Sequence, residues 1–110
     1  MVFRSFSFFK GKDEPGVSKR FVNTMSADGS IEIKGTATAF SLEIQGAADD
    51  EDENNIEWHT LCAINESDLS VVSEIDAKGI YSVDTLGKSI RVKINSISGG
   101  NLTVFGKFSN

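Results

Sequence analysis

Residues 40–45, Phe40-Ser41-Leu42-Glu43-Ile44-Gln45, alternate apolar and polar side chains without a break. In an extended chain successive side chains point to opposite faces. Phe40, Leu42 and Ile44 therefore share one face, and Ser41, Glu43 and Gln45 share the other. This is the pattern of an antiparallel strand with one face on a core and one in water. The same period of two runs downstream. Ile56, Trp58 and Thr60 alternate with Glu57, His59 and Leu61, and the run continues through Cys62 to Ile64. Ile90, Val92 and Ile94 alternate with Arg91, Lys93 and Asn95.

Upstream, Phe6 and Phe8 share a face opposite Ser5, Ser7 and Phe9, and Ile31 and Ile33 alternate with Glu32 and Lys34. Leu69 to Ile75, the segment Ile80-Tyr81-Ser82-Val83, and Leu102 to Phe105 read as further strands. Turn signals separate them: Gly11 to Ser18 with the single Pro, Ala27-Asp28-Gly29-Ser30, Asn65 to Asp68, Asp76 to Gly79, and Ser98 to Asn101. No window carries the 3.6-residue period of a helix. Short strands with turns at such intervals predict an all-β protein: one jelly-roll-like antiparallel β-sandwich of about eight strands with an N-terminal arm. The length of 110 residues fits one domain. Within it, residues 1–29 are expected to hold the arm and first strands, and residues 30–110 the sandwich body. The expected core is Phe40, Leu42, Ile44, Ile56, Trp58, Leu61, Val71, Ile75, Ile80, Val83, Ile90, Val92, Ile94, Leu102 and Val104.

Charge is unevenly placed. The net charge is −5, and Asp49, Asp50, Glu51, Asp52 and Glu53 account for all of it. Residues 1–27 carry Arg4, Lys10, Lys12, Lys19 and Arg20 against Asp13 and Glu14, and the rest of the chain is acidic. A basic N-terminal segment on an acidic body suits attachment to the next copy or to an acidic partner. Scattered bases on an acidic body argue against nucleic acid. No apolar run approaches the ~20 residues of a membrane helix, and the alternating N-terminus lacks the pattern of a signal peptide. Folding in a cytoplasm is the expectation.

Sites of chemistry are sparse. The single Cys excludes an intrachain disulfide, and the single His excludes any site that needs two. Cys62 lies in an apolar strand, where a free thiol packs as a small hydrophobe. His59 lies beside Trp58 with no Asp and Ser at triad spacing. The run Asp49–Glu53 has hard oxygen ligands but no EF-hand pattern, which favours a solvated loop tip over a metal site. Gly35 and Gly99-Gly100 head no helix and carry no phosphate-loop signature. These absences point to a non-enzymatic protein without a cofactor.

The richest segment is the N-terminus. Phe3, Phe6, Phe8 and Phe9 crowd four of the eight Phe into seven residues, between Arg4 and Lys10. An exposed strand of that composition would aggregate, so it either pairs within the sandwich or adds to a neighbouring chain. Phe3, Arg4, Phe6, Phe8, Phe9 and Lys10 are accordingly the candidate partner-docking residues.

The run 35–61, GTATAFSLEIQGAADDEDENNIEWHTL, resembles a strand–loop–strand unit of small bacteriophage virion proteins. There a strand ending in Gly or Ser leads through an acidic or Gly-rich loop to a Trp-x-Thr-Leu strand. Residues 78–84, 89–94 and 96–104 continue the likeness, which covers about two thirds of the chain. The unusually acidic loop and residues 1–30 depart from it. The resemblance implies a capsid decoration or head-fibre protein: non-enzymatic, present in many copies, and bound to the major capsid protein or another virion protein. Neither nucleic acid nor membrane is an expected partner, and the resemblance implies assembly in the host bacterial cytoplasm followed by residence on the virion. Tail and baseplate accessory proteins carry similar sandwiches. A carbohydrate-binding module is the alternative of a different class, with Trp58 and Tyr81 as the aromatics to stack on a sugar.

Overall fold

The structure, a computed structural model, describes residues 3–22, 28–48, 56–85 and 88–109. The strands are β1 (Phe3–Lys12), β2 (Gly16–Val17), β3 (Asp28–Gly35), β4 (Ala39–Ala48), β5 (His59–Thr60), β6 (Ala63–Asn65), β7 (Val71–Val72), β8 (Gly79–Asp84), β9 (Lys88–Ser98) and β10 (Leu102–Ser109). They form two antiparallel sheets. One has the order β1-β10-β3-β8-β6-β7, the other β2-β9-β4-β5.

Four pairings explain the architecture. β1 pairs with β10, β2 with β9, β3 with β8 and β4 with β5. The chain is thus one long antiparallel ribbon doubled back near β4 and β5. Rolling that ribbon sets β10 beside β3 and β9 beside β4. The result is a jelly roll of eight strands in two four-stranded sheets. The short β6–β7 hairpin is an addition to that plan, and it extends the first sheet past β8.

The core lies between the two sheets. Ile31, Ile33, Tyr81, Val83, Leu102, Val104 and Phe108 enter from the first sheet. Phe40, Leu42, Ile44, Ile90, Val92 and Ile94 enter from the second. Leu42 is bonded through its backbone in both directions to Ile75, which draws the β7–β8 connection onto the second sheet.

The N-terminal segment is a strand of the sandwich. From Phe3 to Lys12 it pairs along β10. Between Ser7 and Phe9 the register slips, so that two residues of β1 cover one of β10. Such a bulge lets neighbouring side chains share a face that strict alternation would split. Phe8 and Phe9 are in consequence both buried, at 6% and 8% exposure. Phe6, Phe8, Phe21 and Phe108 form an aromatic cluster, with neighbouring ring centroids 4.4 to 6.2 Å apart. Gly29 and Gly106 make room for it: a Cβ on either would come within 2.7 Å of the Phe108 ring.

Several expectations about the interior need correction. Tyr81, named above for stacking on a sugar, is 2% exposed, and its hydroxyl donates to the Ala77 carbonyl at 2.7 Å. Ile80, expected in the core, is exposed. Both are apolar neighbours in one strand, and the register with β3 decides between them by pairing Tyr81 with the buried Ile31. Val71 is also exposed, because its pairing with Ile64, and of Ile64 with Ser82, puts it on the outer face, while Ala63 and Val72 of the same hairpin face the core. Ile56, Trp58 and Leu61 are half-buried. Cys62, expected in an apolar strand, is exposed between β5 and β6.

Candidate functional site

The six docking candidates differ in burial. Phe8 and Phe9 belong to the core, and Phe6 is half-buried with its ring against Phe8 and Phe21. The Phe8 and Phe9 side chains cannot reach a partner without unpacking the sandwich. Arg4 and Lys10 are exposed on β1, which is an edge strand of its sheet. Phe3 pairs through its backbone with Ser109, and its side chain lies outside the described residues. The acidic run Asp49–Glu53 also lies outside them.

The outer face of the six-stranded sheet carries a groove of about 590 Å³. Register explains its floor. Lys107 pairs with Ser30, Ser30 with Ser82, Ser82 with Ile64, and Ile64 with Val71. Directly paired residues share a face, so these five side chains form one row across the sheet. The row is polar at the β10 end and apolar at the hairpin end. Asp28 and Asp84, paired across β3 and β8, flank it, and Cys62 opens onto it. The Ser82 hydroxyl donates to Glu66 at 2.8 Å, which ties the hairpin turn to the sheet.

The outer face of the other sheet has a polar network. Arg91 Nε donates to Gln45 Oε1 at 2.6 Å, Gln45 Nε2 donates to Glu43 Oε1 at 2.7 Å, and the Thr60 hydroxyl donates to Glu43 Oε2 at 2.9 Å. The guanidinium also lies 4.4 Å from the centroid of the half-buried Trp58 ring. Removal from water pulls Arg91 below its ordinary pKa, with Glu43 acting in the opposite sense. Stacking on an indole suits a guanidinium in this setting, because the group is planar and weakly hydrated. His59 is exposed beside this network, on β5. Among the described residues, no three His, Cys, Asp or Glu side chains come together as metal ligands. No described helix is long and apolar enough to cross a membrane.

The strand to Ile64, the turn at Asn65–Asp68 and the strand after Leu69 become the β6–β7 hairpin at the end of the sheet, a placement that the sequence alone does not give. Its turn is held by two side chains. Asn65 Oδ1 accepts from the N–H and hydroxyl of Ser67, at 3.0 and 2.9 Å. Asp68 Oδ1 accepts from the N–H and hydroxyl of Ser70, at 2.9 and 2.7 Å. The second pair of bonds holds the Asp68 carboxyl below the usual carboxylate range. Leu69 between them has a φ of +62° and is 72% exposed. The Asn-Glu-Ser-Asp sequence announced a turn, but only its position in the sheet shows what the turn presents.

The fold defines a class, the jelly-roll sandwich, and two solved structures share it over nearly the whole chain. The crystal structure of SPBc2 prophage-derived protein YomS superposes with a TM-score of 0.84 and 24% identity, over 97% of this chain and 92% of that one. PBSX exported protein XepA superposes with a TM-score of 0.89 and 20% identity, over 97% of this chain and 37% of XepA. At these identities the likeness is one of fold. No protein-family model and no curated protein matches the sequence.

Proposed function

We propose that this protein is a non-enzymatic structural component of a bacteriophage particle, a capsid decoration protein bound in many copies to the major capsid protein. The observation that carries this reading is the superposition of nearly the entire chain on SPBc2 prophage-derived protein YomS, with PBSX exported protein XepA as a second match of the same fold. The sequence resemblance over residues 35–108 points the same way by a separate route. Exposed side chains on the broad outer face, rather than the buried Phe8 and Phe9, are the docking groups in this reading. Attachment in many copies turns weak single contacts into firm binding.

The test is quantitative mass spectrometry of purified particles from the phage that encodes the chain, with and without its gene. Many copies per head, lost on gene deletion, support decoration. A few copies confined to isolated tails move the protein to the tail or baseplate. Absence from particles, with accumulation in the medium, overturns the reading.

A carbohydrate-binding function has one observation in its favour: the half-buried Trp58 beside Arg91, Glu43 and Thr60, with the buried Gln45 between them, on the outer face of the smaller sheet. Tyr81 no longer contributes, since it is buried. Binding on a glycan array that is lost in Trp58→Ala would establish that reading, and an array without signal would remove it.

A further inference from the structure

The six-stranded sheet ends in two unlike edges. At one end is β1, where residues 3–12 hold Arg4, Lys10 and Lys12 and no carboxylate, with Lys12 paired to Glu14 at 3.2 Å. At the other is the β6–β7 hairpin, where residues 63–72 hold Glu66 and Asp68 and no base. Among the described strands, none pairs with the outer side of either edge.

The acidic edge also presents apolar side chains. Leu69 is 72% and Val71 67% exposed, with Ile64 and Ile80 exposed nearby. Ile64 and Val71 are paired across the hairpin, and the Glu66 N–H donates to the Ile80 carbonyl, so these residues form one patch. Folding gains little from apolar groups left in water. The left-handed backbone at Leu69 is one that Gly or Asn adopts more readily. An apolar patch rimmed by one sign of charge is the usual form of a protein contact. Exposed apolar groups also occur at the basic end of the molecule, where Val17 and Val22 lie on and after β2.

We infer that the acid-rimmed β6–β7 hairpin of one copy docks on the basic β1 edge of the next. The occupant is a second copy of this chain, because the complementary charge stands on the opposite edge of the same sheet. Long-range attraction between the two edges favours this orientation and opposes edge-to-like-edge contact. Because the two surfaces differ, the contact is heterologous: each copy keeps one free hairpin and one free β1 edge, so assembly closes into a ring or continues as a filament. The contact is read from the isolated protein and does not depend on its place on a particle.

Sedimentation velocity on the full chain tests this, with three proteins: wild type, Arg4→Glu/Lys10→Glu, and Leu69→Asp/Val71→Asp. All four positions are exposed, and circular dichroism confirms that each variant folds. Wild type is expected to sediment as a multiple of 11.9 kDa that shifts toward monomer as salt rises. Each variant alone is expected to be monomeric. Mixing the two variants restores one intact hairpin facing one intact edge, and dimers alone should form. A monomeric wild type, a folded variant that still assembles fully, or a mixture that stays monomeric would overturn the proposal.

Discussion

Phe21 and Phe108 lie ring against ring, with centroids 4.4 Å apart and planes 12° from parallel. One follows β2 near the start of the chain, and the other stands near the end of β10. Their contact links the beginning and end of the rolled ribbon across the two sheets. Phe21 is itself tied to the second sheet by mutual backbone bonds with Ile90, at 2.7 and 2.9 Å. Phe108→Ala should therefore cost about 3–5 kcal/mol, the usual loss for an aromatic removed from a core. For a domain whose whole stability is about 5–15 kcal/mol, urea denaturation should show a large fall in midpoint. An unchanged midpoint would mean that the cluster relaxes without loss.

Gly106 is a matching requirement. A Cβ there would come within 2.7 Å of Phe108 and 2.8 Å of Phe8. Gly106→Ala should destabilise by about 1–3 kcal/mol through crowding. Phe108→Leu in the same molecule should recover part of that loss. The comparison of single and double variants by denaturation reads the coupling directly.

Removal of residues 1–10 should unfold the protein. The deletion strips β10 of its neighbour and takes Phe8 and Phe9 out of the core. A free arm would come away without harm, and the N-terminal composition alone allows that reading. Near-ultraviolet circular dichroism and thermal melting decide the matter. A truncated chain that still melts sharply would show that β1 is dispensable.

Tyr81 is the chain's single tyrosine, so tyrosinate absorbance reports it alone. Burial, with the negative charges of Asp76 and Asp68 adding to it, raises its pKa above the ordinary 10.0. The folded protein then binds the phenolic proton more tightly than the unfolded chain does. The associated stability is complete below pH 10 and is lost as pH rises through the folded pKa. Alkaline unfolding should begin above pH 10, with Tyr81 ionising as the fold opens. Tyr81→Phe should flatten this pH dependence, while losing about 0.5–1.5 kcal/mol with the bond to Ala77. Reversible titration of Tyr81 at its ordinary value in folded protein would contradict its burial.

Leu69→Asn separates stability from assembly. Asn tolerates a positive φ better than Leu, and little apolar burial is lost at a site 72% exposed. The variant should gain about 0.5–1 kcal/mol in denaturation, by relief of backbone strain. It should also sediment with a smaller assembled fraction than wild type. A destabilised variant would show that Leu69 serves the fold.

Much of this fold is legible in the sequence because alternation is a local property. Phe40 to Gln45 and Ile90 to Asn95 show which side chains share a face without reference to any partner. Their apolar halves, together with Leu102 and Val104, are buried as the pattern required. The all-β class follows from such runs and from turn residues at short intervals. Tertiary structure decided which face of an ambiguous strand turns inward. In Ile80-Tyr81 both neighbours are apolar, and pairing with Ile31 placed Tyr81 inside. In Phe8-Phe9 a bulge buried both residues, which no fixed period can do. In the β6–β7 hairpin, pairing with β8 turns Ala63 and Val72 to the core and leaves Ile64 and Val71 on the outer face. Parity within a strand is written residue by residue. Register, bulges and sheet extent are set by contacts between segments far apart in the chain, and those contacts decide which surface is left for a partner.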